Sequence, residues 1–85
     1  MYIKNKNLVE KDFEDKKLVL NLQDEQVYEL KDVEIDIWNG IDELKEFNEI
    51  SNVICNKYRV DKELVNKDLN EFLNQLMVNE LIIKE

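Results

Sequence analysis

The chain has 85 residues, twelve Lys and Arg against twenty Asp and Glu, a formal charge of −8, no His, no Pro, one Gly and one Cys. That length is one domain with a modest core. An acidic surface without a basic run makes duplex DNA and anionic membranes poor candidates as partners; it is either a solvated face or a site for a basic peptide. The lone Cys55 has no partner for a disulfide or a CxxC site, and without His the usual Cys-His pairing is impossible.

In chain order, "MYIKNKNLVE" holds two short apolar pieces, Tyr2-Ile3 and Leu8-Val9, and predicts one edge strand. In "KLVLNLQDEQVYEL", Leu18, Leu20 and Leu22 alternate with Val19 and Asn21 at strand period. Asp24-Glu25 then makes the turn, and Val27 and Tyr28 open a returning strand, so a β-hairpin is expected. From Val33 the period changes to that of a helix. Val33, Ile37, Trp38, Ile41 and Leu44 form one face behind an N-cap at Asp32. Gly40 either ends this helix or lies inside it; the apolar face continues to Ile41 and Leu44, which favours the interior.

Phe47, Ile50, Val53, Ile54 and Tyr58 make a second helical stripe. Cys55 sits on it as a small residue at the edge of the core. Asp61 caps a third helix carrying Leu64, Val65, Leu69, Phe72, Leu73, Leu76 and Met77, and "ELIIKE" closes the chain as a short strand or packed tail. Strands followed by three helices predict an α+β domain, in which the helices cover one face of a two- or three-stranded antiparallel sheet. The expected core is Leu20, Tyr28, Leu30, Ile37, Trp38, Ile50, Ile54, Leu69, Phe72 and Leu76. At 100° per residue, Asn66, Asn70, Leu73 and Met77 form a shoulder beside it. Trp38 is read as a core anchor. Asp42 and Glu43 diverge on their helix and suit no acid–base chemistry.

The ordered set Tyr28 and Leu30, Ile37-Trp38, Glu49-Ile50, Tyr58 and Val60, Asp68-Leu69, Phe72-Leu73 and Leu76, then Leu81-Ile82 resembles the PqqD-like family of RiPP recognition elements. These are small winged-helix proteins that bind the leader of a ribosomally made precursor peptide. The resemblance spans roughly residues 17 to 83. It departs from the family pattern at Lys31, where Asn is usual, at Glu34, where a small residue is usual, and at Glu80, where Gly is usual.

The resemblance implies a winged-helix-like fold over the whole chain, 1–85. It implies that a leader peptide adds as a strand along Val27, Tyr28, Glu29 and Leu30. Its side chains would rest on the third helix, where the shoulder Asn66, Asn70, Leu73 and Met77 offers a half-apolar surface. The implied partners are the precursor peptide and a separate peptide-modifying enzyme, either a radical SAM maturase or the leader protease and cyclase of lasso-peptide pathways. This mode needs no catalytic residue, metal or cofactor.

A cytoplasmic location is expected, because no stretch is long and apolar enough to span a bilayer and the N-terminus shows no signal-peptide core. The rival readings are a winged-helix DNA-binding protein and a generic protein-interaction module. The helix "KDLNEFLNQLMVNE" disfavours the first, since phosphate contact calls for Lys and Arg.

Overall fold

The alternating run after Lys16 forms the middle of a three-stranded antiparallel sheet in the computed structural model, which describes all 85 residues. The strands are β1 (Tyr2–Lys4), β2 (Leu8–Phe13), β3 (Lys16–Asn21) and β4 (Gln26–Lys31). They are followed by α1 (Val33–Glu43), α2 (Phe47–Tyr58), α3 (Lys62–Val78) and β5 (Ile82–Lys84). The order in the larger sheet is β2-β3-β4, so β2 and β4 are both edges. The first ten residues supply two strands rather than the one expected: β2 joins this sheet, while β1 pairs with β5 in a separate two-stranded ribbon.

Register decides which face is buried. Glu10, Val19 and Tyr28 lie side by side, as do Val9, Leu20 and Val27. The first row faces the helices. Val19 is fully buried and Trp38 Nε1–H donates to Glu10 Oε1 at 2.7 Å. Leu20, expected in the core, is therefore on the outer face and only half-buried. Strand alternation groups Leu18, Leu20 and Leu22 on one face but does not say which face meets the core. Here the less apolar set, Lys17, Val19 and Asn21, turns inward. Leu30 is buried as expected, and Tyr28, on the same side, is half-buried.

On α1, Ile37, Trp38 and Ile41 are buried, and Trp38 serves as the expected anchor, with the Lys4 ammonium 4.3 Å from its ring centroid. Gly40 is an interior helical residue facing α2; a Cβ there would sit 3.4 Å from Ile50 Cγ1, in ordinary van der Waals contact. Neither Asp32 nor Asp61 makes a side-chain capping bond, although both occupy the N-cap position.

The buried line on α3 is Val65, Leu69, Leu73 and Leu76. This corrects the sequence reading: Leu73 is a core residue, 1 % exposed, and Phe72 is the half-buried one. The chain end explains the exchange. After α3 the backbone turns back, and the fully buried Leu81 and Ile82 join the cluster that holds Leu73.

That turn is a Schellman motif. Leu81 N–H donates to Leu76 C=O at 2.9 Å, Glu80 N–H donates to Met77 C=O at 3.0 Å, and Glu80 has φ 60°. Glu80 thus stands in the left-handed conformation that glycine adopts without penalty, which gives a physical reason for the Gly usual at this place. Glu80→Gly is expected to raise stability by about 0.5–1 kcal/mol. Relief of about 1–2 kcal/mol of backbone strain is offset in part by the freer unfolded chain. Urea denaturation of the two proteins measures this, and a loss of stability would show that the Glu80 side chain contributes more than its backbone costs.

Candidate functional site

Edge strand β4 has one free side. Leu22 N–H donates to Asn7 C=O, toward β2, and Lys31 N–H donates to the Glu34 carboxylate at 3.1 Å, away from β3. Antiparallel pairing alternates, so Tyr28 and Leu30 bond to β3 while Val27 and Glu29 point their N–H and C=O outward. The Glu34 bond closes this row at its far end. The Val27 side chain is 60 % exposed, and Glu29 lies on the outer face between Lys16 at 3.1 Å and Lys31 at 3.2 Å. Those lysines, Lys16 foremost, hold the Glu29 carboxyl below its usual range.

Directly after β4 an apolar groove of about 360 Å³ opens among the three helices. Val33, Glu34 and Ile37 of α1 line it, facing Ile54 and Tyr58 of α2, Val60 beyond them, and Val65, Asp68, Leu69 and Phe72 of α3. Its volume falls in the range of small-ligand and side-chain pockets. It exists because the apolar stripes of three helices converge where neither β-sheet covers them. Leu69 and Val65 form its floor from the core, and the half-exposed Phe72 and Tyr58 form walls.

Tyr58 is held in place from α1. Its hydroxyl donates to Asp36 Oδ2, and Lys57 Nζ donates to Asp36 Oδ1 at 2.9 Å. Burial pushes the Asp36 carboxyl up, but the hydrogen bonds from Tyr58 and Lys57 outweigh it and the net shift is downward. The same bond, with burial and the nearby charges of Asp36 and Asp32, pushes the Tyr58 phenol up to about 12. A raised phenol pKa means that the contact is intact below pH 10 and is lost as the pH climbs toward 12. In a Tyr2→Phe/Tyr28→Phe background, Asp36→Asn is expected to return the remaining phenol toward its ordinary value of 10.0, read by alkaline absorbance titration. An unchanged midpoint would show that Asp36 does not hold Tyr58 in solution.

The structure brings Val27, Tyr28, Glu29 and Leu30 onto one edge but scatters the expected shoulder. Leu73 is buried in the core. Asn66 accepts a hydrogen bond from the buried Ser51 hydroxyl and pins α2 to α3. Asn70 is exposed. Met77 is half-buried on the opposite flank, in a shallow second cavity with Ile3, Lys4 and Ile82. The groove lies on the other side of α3, at Asp68 and Phe72. Sequence reading missed Val33, Glu34, Ile54 and Asp68 as groove residues, because each lies on or beside a stripe that reads as core or solvated face. Tyr58, Val60, Asp68, Leu69 and Phe72 did carry a signal, since all belong to the family motif set.

A family model described as coenzyme PQQ synthesis protein D (PqqD) matches residues 16–82. The chain belongs to the PqqD family. Among solved structures, "TbiB1 in Complex with the TbiA(beta) Leader Peptide" superposes with a TM-score of 0.89 at 32% identity, over 96% of this chain and 95% of that one. No curated protein matches. The PqqD match runs from the first residue of β3 to the first of β5, so both the β4 edge and the groove fall within it.

Proposed function

We propose that this protein binds the leader segment of a ribosomally made precursor peptide and presents it to a separate modifying enzyme. The leader adds as a strand to β4, and its alternate side chains enter the groove beside Phe72. The observation that carries this is the juxtaposition of a free strand edge, Val27 to Glu29, with an apolar groove that begins at Val33. Unpaired main-chain groups give affinity, and a pocket for alternate side chains gives selectivity. PqqD family membership and the similarity to TbiB1, solved with a leader peptide, support the reading.

The chain acts by binding, not by catalysis, in the same compartment as its enzyme, the cytoplasm. The DNA-binding alternative is disfavoured by α3, which sets the acids Glu63, Asp68 and Glu71 against Lys62 and Lys67.

The test is a titration of isotope-labelled protein with the leader of the precursor encoded beside its gene. Amide shifts are expected in residues 26–31, 33–37, 58–60 and 65–72. Shifts confined to β2 or to residues 42–51 would refute the β4 site, and no shifts at all would refute leader binding.

A further inference from the structure

The groove is apolar but not neutral. Of its ten lining residues eight are hydrophobic, and the other two, Glu34 and Asp68, are both acids. No Lys or Arg lines it. Glu34 uses Oε1 to accept the Lys31 N–H, which fixes the carboxylate at the end of the free β4 edge. It forms no ion pair, and Asp68 forms neither an ion pair nor a hydrogen bond. The next acid along, Asp36, is already engaged by Lys57 and Tyr58. Two uncompensated carboxylates thus flank an apolar cleft in a chain whose charge is −8. Glu34 is half-buried and Asp68 exposed, so the apolar wall, which lowers the local dielectric, strengthens the attraction of Glu34 for a cation more than that of Asp68.

We infer that the groove selects a peptide carrying Lys or Arg next to its apolar anchor, with the anchor against Phe72, Leu69 and Val33 and the cation between Glu34 and Asp68. This rests on the peptide-binding reading above and names the ligand's chemistry. The strand geometry sets the spacing. Side chains that share a face of an added strand are two residues apart, so the cation stands two positions from the anchor. Its place at the Glu34 end of the edge puts it at the terminus of the added strand nearest Lys31.

The probe is a display library of random twelve-residue peptides, selected on the intact protein and on two variants. In Glu34→Gln/Asp68→Asn the charges go, while the side-chain amide oxygen introduced at position 34 still accepts the Lys31 N–H. In Glu63→Gln/Glu71→Gln two acids of α3 outside the groove go instead, and the charge change is the same. Thermal unfolding confirms that each variant folds. On the wild type, selected peptides are expected to carry Lys or Arg two positions from an aromatic or large aliphatic residue, several-fold above its library frequency. The positional bias is expected to persist on Glu63→Gln/Glu71→Gln. On Glu34→Gln/Asp68→Asn it is expected to vanish, while the apolar anchor remains enriched. An enriched anchor without a cation, or a cation bias that survives Glu34→Gln/Asp68→Asn or has no fixed spacing, overturns the inference and leaves peptide binding standing. Failure to enrich any peptide on the wild type overturns both.

Discussion

Leu73→Ala is expected to lower the free energy of unfolding by about 2–5 kcal/mol, the cost of deleting a buried leucine and leaving a cavity. Phe72→Ala, one residue away, is expected to cost less than Leu73→Ala. Leu73 is 1 % exposed and belongs to the same cluster as Trp38, Leu69, Leu81 and Ile82. Phe72 is half-buried on the groove wall, where solvent can fill the space its ring vacates. For a small domain whose whole stability is about 5–15 kcal/mol, the first change brings the protein close to unfolding. Urea denaturation with a constant slope separates the two. Leader binding should show the reverse order, with Phe72→Ala the more damaging at temperatures where both variants are folded. A loss under about 1 kcal/mol for Leu73→Ala, or a larger loss for Phe72→Ala, would show that the core seam runs through the wrong residue.

That pair also shows where sequence reading stops. Helical period placed α1, α2 and α3, and strand period placed the β3-β4 hairpin, because each element repeats its apolar residues often enough to reveal a face. The ribbon of β1 and β5 was not legible: it joins Tyr2–Lys4 to Ile82–Lys84 across the whole chain, and each strand is only three residues long. Its consequence was not legible either. Once Leu81 and Ile82 are folded back, the α3 seam rotates from Phe72 to Leu73, and the groove moves from the Met77 flank to the Asp68 flank. The inward face of β3 was misread for a related reason, since three leucines at alternate positions outweigh one valine on any hydrophobic count. The β4 edge, by contrast, is what the family resemblance implies for the strand ending at Leu30, and the sheet order β2-β3-β4 leaves that strand at an edge.

Val27→Pro is expected to abolish or weaken leader binding at least tenfold, about 1.4 kcal/mol, with the fold intact. Alternation along β4 turns the Val27 N–H outward, away from the β3 ladder, so proline there removes a donor that no intramolecular bond uses. Edge strands accept proline where the N–H faces solvent, and the preceding Gln26 is already in the extended conformation that proline demands of its neighbour. The Val27 side chain is 60 % exposed, so its own loss matters little. Val27→Ala, which keeps the N–H, is therefore expected to bind leader almost as the wild type does. Tyr28→Pro supplies the converse: its N–H faces Val19 of β3, and its removal should destabilise the sheet itself. The contrast of alanine with proline at one position isolates the main chain from the side chain. It is measured by calorimetric titration with leader peptide, after circular dichroism has established that each variant is folded. If Val27→Pro binds leader as tightly as Val27→Ala, no added strand pairs with β4, and the free edge of β2 becomes the next place to look.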